Sequence, residues 1–186
     1  MTSRYAVNYQ LRSHKRDHFI EFIKTLLMNP FVLHSSDRTK KPNLDRYLEV
    51  LEHIEALIAE HIEHQSKGTP SYSRLYGFVP SLGCFFTPLP LMDAFRFQNE
   101  RHRIASRRFV PPSFNDIRRL LNSAQIQAVA NDLRLITFDG DVTLYEDGGS
   151  LVASSTIVKM LIRLLECGLY VAVVTAAGYT VCEDVA

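Results

Sequence analysis

Apolar residues recur at helical spacing in two long stretches early in the chain. Phe19, Phe22, Ile23, Leu26 and Leu27 share one face of a run from about Asp17 to Met28, which Ser13 is placed to cap and Asn29-Pro30 to end. Ser35 to Pro42 is polar and basic and reads as a loop. From Leu44 to about His64, Tyr47, Leu48, Leu51, Ile54, Leu57, Ile58 and Ile62 keep the helical period over the longest predicted helix. A Gly-Thr-Pro-Ser turn follows at Gly68 to Ser71. Residues 72–92 then scatter Gly77, Pro80, Gly83, Pro88 and Pro90 among aromatics, a pattern of packed but irregular chain. A further helix is expected from Pro90 or Leu91 to about Ile104. Pro111-Pro112-Ser113 opens another, with Ser113 as its cap and Ile117, Leu120, Leu121 and Ala124 inward.

The texture changes at Leu133. Leu135-Ile136-Thr137-Phe138 is a short β-rich run that stops at Asp139, and a Gly-rich turn follows. Ile157, Val158, Leu161, Ile162, Leu164 and Leu165 then mark a helix ended by Gly168, before the apolar strand Tyr170-Val171-Ala172-Val173-Val174 and Thr175. Strand, helix and strand in so short a stretch form a βαβ unit, and the all-apolar second strand suits a parallel sheet covered by helices. The fold class is therefore α/β, with a helical region at 1–130 followed by the start of a Rossmann-type parallel sheet at 131–186.

Composition narrows the function without defining it. Hydrophobic residues at 46% and charged residues at 22% are globular values. A net charge of +1 gives no electrostatic reason to expect nucleic acid or an anionic membrane as partner. No apolar run is long enough to span a bilayer, and the charged first 25 residues lack the apolar core of a signal peptide. Cys84, Cys167 and Cys182 are too few for a disulfide framework, so a cytoplasmic protein is expected.

The chemistry centres on Phe138-Asp139-Gly140-Asp141-Val142-Thr143. In open α/β sheets ligands sit at the carboxyl ends of strands, and Asp139 and Thr175 occupy that end of two strands in one βαβ unit. Two carboxylates spaced i, i+2 repel unless they share a cation or a proton. Oxygen donors with no Cys or His nearby favour magnesium over zinc, and Gly140 lets a phosphate approach the backbone. A solvated turn is the plain alternative for an Asp-x-Asp taken alone. A helix–loop–helix calcium site does not fit, because a strand precedes the motif and its twelfth position is Ser150.

Asp139-x-Asp141-x-Thr143 with the strand ending in Thr175 resembles the first two motifs of the haloacid dehalogenase superfamily of phosphatases. More narrowly, Leu135 to Gly149, Val174 to Tyr179 and Pro112 to Arg118 resemble the IMP-specific 5′-nucleotidases of fungi and apicomplexan parasites. Ser3-Arg4-Tyr5 and the Ser13 to Leu33 region are also similar to that family, so the likeness runs through nearly the whole chain.

The resemblance implies hydrolysis of inosine 5′-monophosphate with magnesium. Asp139 would be the nucleophile and a metal ligand. Asp141 would be general acid and then base, with its backbone carbonyl on the metal. Thr175 would hold a phosphoryl oxygen, Val142, Thr143, Leu144 and Tyr145 would line the phosphate turn, and Asp147 would contact substrate. Asp147 reads equally well as a turn residue before Gly148-Gly149. The helical region would serve assembly into a homo-oligomer, a homotetramer in the family, and binding of a nucleotide effector, ATP. The third-motif Lys or Arg, the fourth-motif acid and a cap that confers base specificity all fall beyond the second strand. Only Thr180 to Ala186 follow the family-like stretch Val174 to Tyr179, and that tail departs from the pattern. The chain therefore reads as incomplete and of little activity alone, since a stable sheet usually needs three strands.

Other features take plainer readings. His53, His61 and His64 lie on one helix beside Glu60 and Glu63, and a solvated face fits them better than a metal site. Arg101, Arg103, Arg107 and Arg108 could grip a phosphate, although a salt-bridged face is the simpler expectation. Tyr76, Phe78, Phe85, Phe86, Phe95 and Phe97 read as core, and Cys167 as a small buried hydrophobe. Two rival functions stay open: a phosphatase for another phosphomonoester, and a non-catalytic assembly or regulatory subunit.

Overall fold

The computed structural model describes residues 17–36, 44–140, 143–145 and 151–174. They fall into two compact units that divide between Ala130 and Asn131.

The first unit is helical. Helix α1 spans His18–Ser36 and α2 Leu44–Ser66. A short α3 spans Arg74–Phe78, α4 Leu91–His102 and α5 Phe114–Val129. Asp17 caps α1, its Oδ1 accepting from the amides of Phe19 at 3.0 Å and Ile20 at 3.1 Å. The expected stop at Asn29-Pro30 does not occur, because α1 runs through Pro30 to Ser36. Proline costs the helix a hydrogen bond, but the inward face continues past it: Leu27, Pro30, Phe31 and His34 are all buried. Burial of that stripe outweighs the local penalty. Ser13 lies outside the described residues.

The long helix follows its apolar pattern, with Tyr47, Leu48, Leu51, Ile54 and Ile58 buried against α1 and α4. It ends in a glycine motif. Gly68 takes φ 71°, the Thr69 amide reaches back to the His64 carbonyl at 2.8 Å, and the Gly68 amide to Gln65 at 3.0 Å. The irregular stretch beyond it is stitched to α2 by side chains. Gln65 both donates to and accepts from the backbone of Phe85, at 3.0 Å each way, as a strand neighbour would. Glu55 Oε1 accepts from the Met92 amide at 2.8 Å, capping α4, whose own Pro90 offers no side-chain cap.

The aromatics of this unit depart in part from expectation. Phe85 and Phe95 are core, as expected, but Phe78, Phe86 and Phe97 are exposed. Phe78 stacks on Phe22 at 5.6 Å between centroids, and Phe97 lies under Arg101, whose guanidinium carbon sits 4.3 Å from the ring centre. The segment from Phe78 to Pro90 is too irregular for its aromatics to alternate inward.

The second unit is one βαβ crossover. Strand β1 (Leu135–Asp139) pairs in parallel with β2 (Tyr170–Val174), joined through α6 (Thr156–Glu166). Ser155 caps α6, accepting from the Val158 amide at 3.2 Å. Gly168, at φ 79°, ends it with a second glycine motif, the Leu169 amide donating to Leu164 at 3.2 Å. Coverage of both sheet faces, expected from the apolar second strand, is not found among the described residues. Tyr170 and Val174 are exposed, as are Ile157, Met160, Ile162 and Leu165 on α6. One helix can cover only one face of two strands, and its Val158, Leu161 and Leu164 are half-buried. Cys167, expected inside, is exposed for the same reason.

Candidate active site

The register sets the geometry of the site. Leu135 pairs with Tyr170, and the ladder advances residue by residue until Asp139 lies beside Val174. It extends one step further, the Gly140 amide donating to the Val174 carbonyl at 3.2 Å. Asp139 is thus the last residue of its strand, at the carboxyl end of the sheet, and it is exposed there. This is the end at which open α/β sheets receive ligands.

The chain then folds back at once. The amides of Thr143 and Leu144 both donate to the Gly140 carbonyl, at 3.3 and 2.9 Å, closing a tight turn. Gly140 is buried at its base. Leu144 and Tyr145 turn inward and anchor the turn, whereas Thr143 remains exposed. The side chains of Leu144 and Tyr145 therefore brace the turn, and Thr143, like Asp139, is exposed. The Tyr145 hydroxyl is buried without a hydrogen-bond partner among the described residues. Asp141, Val142, Asp147 and Thr175 lie outside the described residues, Thr175 being next in sequence after Val174.

The carboxylate of Asp139 is a hard oxygen donor at an accessible strand end, which suits it as one ligand of a magnesium ion. Among the described residues no three His, Cys, Asp or Glu side chains gather to form a metal site. The histidines of α2 do not converge. His53 Nδ1 meets the Glu49 carbonyl at 2.8 Å, and His64 Nδ1 meets Thr69 Oγ1 at 3.2 Å. His61, expected on a solvated face, is buried with its Nδ1 2.6 Å from Ser73 Oγ. Its helix turns it inward, one period beyond Ile54 and Ile58.

The arginine cluster takes its structural reading at Arg107. This residue donates to both carboxylate oxygens of Asp116, at 2.8 and 3.3 Å, and to the His102 carbonyl at 3.0 and 3.3 Å. Burial alone would raise the carboxyl of Asp116. The Arg107 guanidinium and the amide and hydroxyl of Ser113 outweigh it and hold the group below the ordinary carboxylate range. Asp116 was not singled out by sequence reasoning. Its signal was there, in an acid three residues after the cap Ser113, and the capping box is complete.

With the strand-end aspartate and its turn in view, comparison with known proteins becomes informative. A family model for IMP-specific 5′-nucleotidases matches residues 1–185. The chain belongs to the IMP-specific 5′-nucleotidase family. It is 52% identical over 191 residues to the family member of Eremothecium gossypii, an alignment covering 99% of this chain and 44% of that protein. The Saccharomyces cerevisiae member is 44% identical over 212 residues, covering 96% of this chain and 47% of its own length. The chain thus spans about half the length of the curated relatives it matches. Among solved structures, an N-terminally truncated IMP-bound Plasmodium falciparum IMP-nucleotidase superposes with a TM-score of 0.70 at 34% identity, over 96% of this chain and 43% of that one. An ATP-bound form of that enzyme gives a TM-score of 0.63 at 36% identity, over 87% and 35%. The fold is accordingly that of the family's helical region and the beginning of its parallel sheet. No described helix is long and apolar enough to cross a membrane.

Proposed function

We propose that this chain carries the nucleophile half of a magnesium-dependent 5′-nucleotidase site, which hydrolyses inosine 5′-monophosphate to inosine and phosphate. The observation that carries the reading is Asp139, exposed at the carboxyl end of β1 beside the end of β2 and followed at once by the Gly140 turn. Family membership supplies the substrate, since the relatives carry IMP in their names.

In this mechanism a carboxylate oxygen of Asp139 attacks phosphorus as the bond to the ribose 5′-oxygen breaks, giving an aspartyl-phosphate. Asp141 delivers its proton to the departing oxygen. The Asp141 carboxylate then takes a proton from water, whose oxygen attacks phosphorus, and the bond to Asp139 breaks to release phosphate. Magnesium, held by the Asp139 carboxylate and the Asp141 carbonyl, would offset phosphoryl charge when bound. Thr175 hydrogen-bonds a phosphoryl oxygen. Residues Val142 to Tyr145 shape the turn that faces the phosphate, and Asp147 contacts the nucleotide. The helical unit serves homo-oligomeric assembly and a nucleotide effector, a reading supported by the ATP-bound Plasmodium falciparum relative. The exposed thiols of Cys84 and Cys167 suit a reducing compartment, the cytoplasm.

The test is phosphate release from IMP with and without magnesium. It compares this chain with a chimera in which it replaces the matching part of the Eremothecium gossypii relative. The chimera should turn over IMP only with magnesium, and Asp139→Asn should lower kcat by a factor on the order of 10⁴ or more. A chimera whose Asp139→Asn variant keeps its rate would remove Asp139 from the chemistry.

A further inference from the structure

Four contacts tie the segment from Thr69 to Phe85 onto the last two turns of α2. His64 meets Thr69, Glu60 binds Arg74 at 2.6 Å, Gln65 pairs with Phe85, and His61 meets Ser73. Of these, His61–Ser73 is the buried one, at 2.6 Å, with His61 2% and Ser73 3% exposed.

The hydrogen bonds of Ser73 favour the His61 tautomer protonated at Nδ1. Ser73 Oγ donates its single proton to the Pro70 carbonyl at 3.0 Å and accepts from the Tyr76 amide at 3.2 Å as the cap of α3. What remains to Oγ is an acceptor lone pair, so His61 donates from Nδ1, and a second proton would go to Nε2. The ring also stands edge-on to Phe85, 5.9 Å between centroids, and Phe85 stands edge-on to Phe19 of α1 at 5.6 Å. A second proton on this imidazole would place a cation between an aromatic ring and a hydroxyl, almost out of reach of water.

We propose that the His61–Ser73 contact is a proton-sensitive latch, which holds the Thr69–Phe85 segment on α2 while His61 is neutral and releases it when the ring becomes an imidazolium. Protonation at Nε2 leaves the bond to Ser73 intact but charges a buried ring, and the least costly escape is for the segment to swing off and admit water. The groups that face His61 set the sign of the effect. Burial lowers its affinity for the second proton, His64 on the same helix lowers it further, and Glu60 opposes both. The charge of Glu60 is itself taken up by Arg74 on α3. On α1, His18 meets Ser81 Oγ at 3.0 Å near the far end of the segment.

Because the folded protein binds this proton less readily than the unfolded chain, stability rises with pH across the window. The latch is fully closed above the ordinary histidine value near 6.5, and its contribution is lost as pH falls through the lower folded value. The inference is independent of catalysis at Asp139.

The experiment is amide hydrogen exchange on the whole chain at pH 7.5 and 5.5, corrected for intrinsic rates, with α5 as internal reference. Amides of residues 72–86 should exchange several-fold faster relative to α5 at the lower pH. His61→Asn, whose amide reproduces the Nδ1 donor but cannot titrate, should abolish that difference, while His64→Asn should retain it. Equal relative exchange at both pH values, or a pH step that survives His61→Asn, would overturn the latch. Should His61→Asn fail to fold, the wild-type imidazole titrated by NMR decides. A midpoint below that of the exposed His53 supports the latch, and one at or above it refutes it.

Discussion

Arg107 clasps Asp116 through both terminal nitrogens, at 2.8 and 3.3 Å, while the same carboxylate receives the amide and hydroxyl of Ser113 at 2.8 Å each. The pair joins the end of α4, through the His102 carbonyl, to the start of α5. Asp116 is 4% exposed, so removing Arg107 strands a buried carboxylate, while removing Asp116 takes the carboxylate partner from a half-buried Arg107 and the cap from α5. We expect Arg107→Ala or Asp116→Ala to destabilise the helical unit by about 3 kcal/mol, read from urea unfolding.

The same carboxylate gives an acid limb. Its folded affinity for protons lies below the unfolded value, so its contribution is present above the usual aspartate range and lost as pH falls through the lower folded value. Melting temperature measured from pH 5 downward should fall more steeply for the wild type than for Asp116→Asn.

Tyr47 offers a stabilising change. Its ring is fully buried and stacks on Phe95 at 5.4 Å, yet its hydroxyl has no hydrogen-bond partner among the described residues. Burial, opposed by the charge of Arg107, pushes the phenol up to about 12. Because the folded value is raised, the neutral phenol favours folding below pH 10, and that contribution disappears as pH climbs through 12. Tyr47→Phe should keep the stack, remove the orphaned hydroxyl and raise stability by about 1 kcal/mol. Ultraviolet titration should also lose the tyrosine that ionises at about pH 12.

Pro30 sits inside α1 with no amide to give to the carbonyl four residues back. Pro30→Ala should restore that bond and relieve the ring clash, for a net gain of about 1–2 kcal/mol after the more flexible unfolded chain is counted. Differential scanning calorimetry should show a higher midpoint. A lower one would mean that the buried ring packs too well to lose.

Gly168 carries the opposite expectation. At φ 79° a β-carbon is strained whatever the surrounding space, so Gly168→Ala should cost about 1–2 kcal/mol. The loss should appear as faster amide exchange in β2, since the glycine turns α6 into that strand.

Legibility in the sequence followed the range of the forces. The period-bearing helices, the Ser113 cap and the strand ending at Asp139 rest on neighbours in sequence, and apart from the end of α1 their bounds agree within a few residues. Pro30 misled because a tertiary stripe, Leu27 through His34, overrode a local stop. His61 misled because a polar residue occupies the buried stripe of α2, and Phe78 because burial in an irregular segment has no period to read. At the site, the Asp139 position follows from strand grammar alone, and membership of the family follows from motifs. The inward turn of Leu144 and Tyr145 does not, because it depends on how the Gly140 turn closes in space.

The cap that Glu55 lends to Met92 has a consequence for how this protein can change over time. The first turn of α4 is set by an acid on another helix rather than by the residues just before it. Residues inserted or deleted between Val79 and Leu89 would lengthen or shorten the connection while leaving the helix to begin at the same place. Losing Glu55 would free that starting point even with the loop untouched. Length variation in the connector and a fixed acid at position 55 should therefore go together.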